Sequence, residues 1–453
     1  MTQNDYFKHL NNGLPEDIEN AKNCGDLDKA IKLIDERLKG TEINEALKGS
    51  LLVQKEMINR LKDNFTVSFN QAFERIQKEI PDFKADELQK YLDERRVDWI
   101  YINKEVYLVD SYFGTFRNYV DFKKRLPGYK EEVLEETWVY NAVKEIKEKG
   151  YQEIEATIKH RVRVDDEYFK EGNNYLVHLP IPRIQDNQKM VKINSFYPEG
   201  AHIDNEKALQ RTISWNKKMD KNDWFEVEYT YSNRVEYVDL TDKKGEASDD
   251  FLEYTKEEYP HIVFSPYIKE LCAELTKGID DPLEKAKKFY DYITLNMKYA
   301  YQRDYFCMDN IPLRCARNHR GDCGVFALLF ITLCRCASIP AKWESCMCVD
   351  DGIGSHDWAR FYVKPFGWLY CDPSYGVGQN RRGFEEGRQF YFGNLDAYRM
   401  VANHASNHDF EVNKKFFRAD PVDSQLGEIE DETHGLKFEE FTINRKLVNI
   451  IKK

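Results

Sequence analysis

A cysteine, a histidine and an aspartate follow one another along the chain in an order that suits thiol catalysis. Such catalysis needs a thiolate, a base that takes the thiol proton, and a group that fixes the tautomer of the base. Cys323 stands in the run Gly321-Asp-Cys-Gly, directly before the apolar segment 325–334, which predicts a helix. A helix N-terminus favours a thiolate, because unpaired N–H groups and the positive end of the dipole lie there. We therefore predict that Cys323 is the nucleophile and that its backbone N–H binds the oxyanion.

The base and its orienting carboxylate are expected on two neighbouring strands. His356 begins a strand-like run, and Asp372 follows the run Gly367-Trp-Leu-Tyr-Cys. A short turn near Pro365 makes these runs antiparallel neighbours, which brings the two side chains together. We predict His356 as the general base and Asp372 as its orienter. Asp357 should point away from the His356 side of its strand, so we expect it to leave catalysis unaffected.

Four aromatic residues near these three are candidates for contacting the substrate or the oxyanion. They are Tyr299, Tyr301, Trp358 and Tyr375. Trp358 shares the predicted strand side of His356, and the two upstream tyrosines are candidates for the oxyanion position.

The ordered pieces resemble the bacterial transglutaminase-like superfamily, which includes tissue transglutaminases, peptide N-glycanases and microbial cysteine proteases. The matching pieces are Gly321-Asp-Cys-Gly, the leucines 328, 329 and 333, Ala337-Ser-Ile-Pro-Ala, His356-Asp-Trp, Gly367-Trp and Asp372-Pro. The resemblance implies a papain-like core with Cys323 as nucleophile, His356 as base and Asp372 as orienter. Two features depart from the family. Asp357 replaces a residue that is usually small, and the Cys-x-x-Cys zinc pairs of peptide N-glycanases are missing.

The remaining cysteines suggest packing, not metal binding. Nine of the ten cysteines lie between Cys272 and Cys371. The pairs at 334/336 and 346/348 lack the Cys-x2-Cys spacing of most structural zinc sites. His404 and His408 have no accompanying carboxylate motif. We therefore predict no metal site and no cofactor.

Charge and hydropathy limit the partners. The 67 basic and 79 acidic residues give a net charge of −12, which argues against a nucleic-acid partner. No apolar run reaches the length of a bilayer span, and residues 1–8 lack an apolar signal core. We expect a cytoplasmic protein with a peptide or protein substrate and no membrane partner. The sequence makes no prediction of the oligomeric state.

The order of periodic segments predicts an α+β, multidomain chain. The expected parts are a helical region at 1–150 with a β-hairpin near 99–109, a β-sandwich at 151–245, a transglutaminase-like catalytic core at 251–425, and a tail at 426–453 that packs on the core. Four strands are predicted in the sandwich, at Ile154–Val164, Tyr175–Leu179, Trp224–Tyr231 and Arg234–Leu240. Lys243–Asp250 is the predicted linker.

The favoured function is that of a cysteine protease or amidase that forms a Cys323 thioester. The triad serves both hydrolysis and transfer to an amine, so a protein-glutamine transamidase or deamidase remains an alternative. A catalytically inactive scaffold or binding protein with the same fold is the other alternative.

Overall fold

The structure, a computed structural model, describes residues 2–40, 43–350 and 352–453. The first part of the chain is mostly helical. Its helices are α1 (Glu16–Asn23), α2 (Leu27–Leu38), α3 (Glu45–Asn64), α4 (Phe69–Glu79), α5 (Ala85–Asp93), α6 (Tyr112–Phe116), α7 (Val120–Lys123) and α8 (Trp138–Lys149). A small sheet of order β1-β3-β2 joins Val67–Ser68 (β1), Trp99–Ile102 (β2) and Glu105–Leu108 (β3). Asn103 and Lys104 turn the β2–β3 hairpin with φ angles of 51° and 72°, as a primed two-residue turn requires.

The next part of the chain is built from strands. They are β4 (Tyr151–Val164), β5 (Asn174–Pro180), β6 (Met190–Tyr197), β7 (His202–Ile203), β8 (Thr212–Lys218) and β9 (Phe225–Glu236). Every second residue of β4 is buried, which confirms the alternation seen in the sequence. β9 replaces two predicted strands, and β6, β7 and β8 were not predicted. β6 is exposed along most of its length, so its sequence lacks the alternation of a half-buried strand.

Helices precede a sheet in the following part, as the α+β prediction requires. The elements are α9 (Pro266–Leu275), α10 (Pro282–Asn296), β10 (Lys298–Tyr299), α11 (Ile311–Asn318), β11 (Arg320–Gly321), α12 (Cys323–Cys336), β12 (Ala341–Cys348), β13 (Gly354–Val363), β14 (Gly367–Cys371), α13 (Pro373–Arg382), α14 (Glu385–Phe390), β15 (Phe392–Gly393) and β16 (Arg399–Asn403). The antiparallel sheet has the order β15-β14-β13-β12-β16. Every residue of α12 from Gly324 to Arg335 is buried, as is typical of a helix that is apolar on all sides.

The C-terminal part of the chain returns to the sandwich. β17 (Glu428–Glu430) pairs with β5, and β18 (Phe441–Lys452) pairs with β4. The two sandwich sheets therefore have the orders β17-β5-β8-β7 and β18-β4-β9-β6. The sequence predicts that the tail packs on the catalytic core. Its strands take open edges of the sandwich sheets, where backbone N–H and C=O groups need partners. Arg445 of β18 also contacts the core, because it donates a hydrogen bond to the Ser355 hydroxyl at 3.0 Å.

Two hydrophobic cores hold the molecule together. The sandwich and the sheet behind α12 share one buried cluster, and the N-terminal helices form another. A buried ion cluster links the N-terminal region to the α10–α12 region: Asp98 accepts hydrogen bonds from Arg303, Arg314 and Arg320 at 2.8–3.2 Å. None of the described helices is long and apolar enough to cross a membrane.

Candidate active site

Cys323 is the first residue of α12, where the sequence places it. The Asp322 carboxylate caps this helix by accepting hydrogen bonds from the Val325 backbone N–H at 3.2 Å and the Tyr305 hydroxyl at 2.6 Å. Gly324 has no room for a side chain, because a Cβ there would lie 2.3 Å from the Tyr305 hydroxyl oxygen. In the run Gly-Asp-Cys-Gly, the aspartate thus caps the helix and the cysteine supplies the thiol. The second glycine lets Tyr305 approach the helix backbone closely.

The Cys323 thiol donates a hydrogen bond to the carboxylate of Asp357, with 3.1 Å between Sγ and Oδ2. Cys323 keeps some surface exposure, but its sulfur is enclosed by protein. This burial raises the pKa of the thiol well above its ordinary value, and the Asp357 and Asp322 carboxylates raise it further. These surroundings oppose the thiolate that the helix end was expected to favour. A helix dipole contributes only about 0.3–1 kcal/mol, and burial beside two carboxylates outweighs it.

Asp357 faces α12 from β13. Phe361, on the same side of the strand, contacts Phe330 of α12 with ring centroids 5.6 Å apart. His356 and Trp358 lie on the other side of the strand, with ring centroids 6.0 Å apart. The prediction that Asp357 points away from the His356 side is confirmed. The sequence does not reveal that the Asp357 side chain, on this side of the strand, contacts the Cys323 thiol.

A segment that follows β16 closes over the thiol and its carboxylate partner. Gln425 donates hydrogen bonds from Nε2 to Asp357 and to Asp423. Burial raises the pKa of Asp357 well above its usual range, and Asp423 raises it further. A cavity of about 170 Å³ lies here, with Cys323, Asp357, Asp420 and Asp423 among its lining residues. Its acidic wall favours a cationic group over an anionic one.

His356 and Asp372 are paired as predicted from the strand order. The distance from His356 Nε2 to Asp372 Oδ2 is 2.7 Å. Asp372 also caps α13, because its Oδ1 accepts the Tyr375 backbone N–H at 2.8 Å. Within the part of the chain that the structure describes, no hydrogen bond joins His356 to Cys323.

Arg399, on β16, is a third partner of this pair that sequence reasoning missed. Its Nη1 lies 3.0 Å from Asp372 Oδ2, and its Nη2 lies 2.7 Å from Asp396 Oδ2. Burial raises the pKa of Asp372, but His356 and Arg399 outweigh it and hold that pKa below its ordinary value. Asp372 therefore stays ionised and can accept a hydrogen bond from the N–H of His356. No spacing in the sequence signals Arg399, since β16 joins the sheet beside β12.

Trp358 and Tyr375, two of the aromatic candidates, hold the imidazole of His356. Tyr375 contacts the His356 ring edge-on, with centroids 4.9 Å apart. Trp358 is fully buried and donates its indole N–H to Glu344 at 3.1 Å. Both residues therefore orient His356, and the burial of Trp358 leaves it no surface for a substrate.

The two upstream tyrosines have different surroundings. Tyr299 pairs with Gly321 through β10 and β11. Burial raises the pKa of the Tyr299 hydroxyl, and the nearby Cys323 thiol raises it further. Tyr301 is 43% exposed, and its backbone N–H donates to Thr115. Of the two, Tyr299 is the better oxyanion candidate.

A larger cavity lies elsewhere. It has a volume of about 820 Å³ and is lined by residues that include Leu240, Lys287 and Phe390. It includes none of the predicted catalytic residues. Size alone therefore does not mark the candidate site in this fold.

Residues 269–373 match the family model described as the Transglutaminase-like superfamily. No curated protein matches the chain. A solved candidate cysteine protease from Cytophaga hutchinsonii is 14% identical over 67% of this chain and 90% of that chain, with a TM-score of 0.39. The periplasmic domain of TgpA from Pseudomonas aeruginosa is 13% identical over 52% of this chain and 93% of that chain, with a TM-score of 0.29. The segment that matches the family model contains Cys323, His356 and Asp372. Residues 269–373 therefore form a core of the transglutaminase-like superfamily.

Proposed function

We propose that the chain is a thiol enzyme that breaks an amide bond of a peptide or protein through a thioester on Cys323. The observation that carries the proposal is the 2.7 Å hydrogen bond between His356 Nε2 and Asp372. An ionised carboxylate can only accept a hydrogen bond, so Nε2 carries the proton and Nδ1 of the neutral ring remains available as a base. Membership of residues 269–373 in the transglutaminase-like superfamily supports the same roles.

In the proposed reaction, the Cys323 thiol first leaves Asp357 and reaches His356. This movement requires the start of β13 to shift, because Asp357 and His356 lie on opposite sides of that strand. Nδ1 of His356 takes the thiol proton, and the sulfur attacks the carbonyl carbon of the substrate amide. The tetrahedral oxyanion collapses to a thioester while His356 returns its proton to the leaving amine. Water then attacks the thioester, releasing the acid and restoring the thiol. Asp372 stabilises the imidazolium throughout.

Transfer to an amine is the second candidate, and the cavity beside the thiol favours it. Asp357, Asp420 and Asp423 lie among its lining residues, and carboxylates attract an alkylammonium group. An amine held there would compete with water for the thioester. Hydrolysis remains the first choice, because water needs no binding site.

An inactive scaffold is the third candidate, and the Cys323–Asp357 hydrogen bond is the observation that favours it. A thiol that is kept protonated beside a carboxylate is a poor nucleophile. If the thiol never leaves Asp357, the core serves only to bind a partner.

The test is incubation of the full chain with a mixed peptide library, with and without added methylamine, followed by mass spectrometry. New peptide termini indicate protease activity, conversion of glutamine to glutamate indicates deamidation, and methylamine adducts indicate transfer. Cys323→Ala and His356→Ala should abolish every product. Cys24→Ala, which removes an exposed cysteine of the N-terminal region, should leave the products unchanged. If wild type and Cys323→Ala give the same peptide spectra, the scaffold replaces the enzyme as the proposed function.

A further inference from the structure

Three potential metal ligands from distant parts of the sequence meet at one edge of the sandwich. His202 lies on β7, Asp204 follows that strand, and Glu411 comes from the segment between β16 and β17. One ligand atom from each residue lies within 4.8 Å of the other two. His202 Nε2 is 3.4 Å from Asp204 Oδ1 and 3.8 Å from Glu411 Oε2.

The His202–Asp204 separation matches two ligands of a single ion better than it matches a hydrogen bond. Nitrogen and oxygen bind zinc at about 2.0–2.2 Å, so neighbouring ligand atoms of a tetrahedral site lie about 3.4 Å apart. A hydrogen bond between imidazole and carboxylate is about 2.7–2.9 Å long. The His202–Asp204 distance therefore fits two atoms that share a cation.

Asp204 provides an independent sign of a missing partner. It is only 2% exposed. Its Oδ2 accepts hydrogen bonds from the Thr212 backbone N–H at 2.8 Å and the Thr212 hydroxyl at 2.9 Å. Its Oδ1, which faces His202, accepts no hydrogen bond from any described residue. Buried carboxylate oxygens rarely lack a partner, and a cation between Asp204 and His202 would supply one.

Hydrogen bonds from neighbouring groups orient the carboxylates of Asp204 and Glu411, as is common for metal ligands. Thr212 fixes the Asp204 carboxylate, and the Asn205 backbone N–H donates to Glu411 at 3.1 Å. The neighbouring guanidinium of Arg211 donates to the backbone carbonyls of Asp204 and Pro182. Ligand carboxylates in metal sites are commonly oriented by such hydrogen bonds.

We propose that His202, Asp204 and Glu411 bind one divalent transition-metal ion, with zinc as the best match and water as the fourth ligand. One imidazole nitrogen and two carboxylate oxygens are donors that zinc accepts. The role is structural. Glu411 belongs to the segment that also carries Asp423 and Gln425 beside the thiol, so the ion ties that segment to the sandwich.

The sequence-based prediction of no metal considered cysteine spacing and histidine pairs. This site uses no cysteine, and its third ligand is far from the first two in the sequence. Only the fold brings Glu411 to β7, which is why motif spacing could not reveal the site.

The test is titration of the chelator-treated full chain with zinc chloride and with cobalt(II) chloride. Calorimetry should give one zinc per chain for the wild type, and an affinity at least about tenfold lower for Glu411→Gln and for His202→Ala. Glu206→Gln is the matched control, because it removes an exposed carboxylate beside the cluster that is not a ligand, and its affinity should equal that of the wild type. Cobalt should give a visible d–d band without a thiolate charge-transfer band, since no cysteine is a ligand.

Three results would each overturn the proposal. They are a wild type without a saturable zinc site, an unchanged zinc affinity in Glu411→Gln, and a cobalt spectrum dominated by thiolate. His202 and Glu411 are both exposed at the surface, so both variants should fold. Their melting temperatures without metal should match that of the wild type, which separates lost binding from lost folding.

Discussion

The carboxylate of Asp357 accepts the thiol hydrogen of Cys323 at 3.1 Å, although its neighbour in the sequence, His356, is the predicted base. The resemblance to transglutaminase-like proteins implies a small side chain at the position of Asp357. Here an acidic side chain occupies the space beside the nucleophile, and Gln425 holds it there. We therefore expect Asp357 to lower the reactivity of the thiol at rest.

The first prediction concerns the reactivity of that thiol. In the wild type at neutral pH, iodoacetamide should label Cys323 more slowly than the exposed Cys24, because burial and Asp357 raise the pKa of the Cys323 thiol. Asp357→Ala should accelerate labelling of Cys323 by about tenfold or more, since one pKa unit changes the thiolate fraction about tenfold. Mass spectrometry of the labelled peptides measures both rates. Asp242→Asn, in an exposed loop, is the control, and equal Cys323 rates in the two variants would contradict the assigned role of Asp357.

The second prediction separates the two acidic partners of Arg399. Asp372→Asn should lower turnover by about 10⁴-fold, because an amide at this position favours the wrong His356 tautomer. The asparagine can still cap α13, so the fold should persist. Asp396→Asn removes the other carboxylate partner of Arg399 but leaves the His356 contact. It should lower the melting temperature and reduce turnover by less than about tenfold. Equal losses of turnover would remove Asp372 from the mechanism.

The third prediction uses two helical glycines with opposite surroundings. Gly324→Ala should lower the free energy of unfolding by about 1–3 kcal/mol, because the new Cβ meets the Tyr305 hydroxyl. Gly378→Ala in α13 should raise it by about 0.5–1 kcal/mol, because the nearest atom lies 3.7 Å away and alanine favours a helix. Urea denaturation measures both changes. A stabilised Gly324→Ala variant would mean that the approach of Tyr305 to α12 is looser than described.

The fourth prediction concerns pH and the buried Asp98 cluster. Burial raises the pKa of Asp98, but the guanidinium groups of Arg303, Arg314 and Arg320 hold it well below its usual range. A folded pKa below the unfolded value of about 3.9 stabilises the protein above that pH, and this stability is lost as the pH falls below it. Asp98→Asn should therefore cost about 3–5 kcal/mol at pH 6.

The difference between wild type and Asp98→Asn should shrink below about pH 4. Chemical denaturation at pH 6, 4 and 3 measures it. Asp17→Asn, which breaks an exposed ion pair with Arg37, should change the free energy of unfolding by less than about 1 kcal/mol at each pH. A pH-independent difference for Asp98 would show that the cluster is not held by charge.

Hydrophobic periodicity and turn preferences in the sequence were enough to predict the helix that begins at Cys323 and the pairing of His356 with Asp372. The apolar run after Cys323 predicts α12, and the glycine and proline near residues 365–367 predict the turn that brings His356 to Asp372. Both inferences depend on residues close in the sequence, where periodicity and turn preferences are informative.

The features that escaped prediction depend on contacts between distant parts of the chain. Arg399 reaches Asp372 only because β16 lies beside β12, and Gln425 reaches Asp357 through an irregular segment. β6 carries exposed residues on both sides and so shows no strand period. The direction of the shift in the Cys323 thiol pKa was not predicted either. The position of the thiol in its helix does not show which charged side chains lie near the sulfur in the folded protein.

The pairing of β18 with β4 has a consequence for synthesis in the cell. The ribosome makes residues 151–164 long before residues 441–452, and the whole sheet behind α12 is made between them. A nascent chain therefore carries an unpaired β4 edge while the helices and sheet of the core emerge. Open strand edges invite pairing with other chains. Until β18 is made, the β4 edge is therefore open to pairing with other chains.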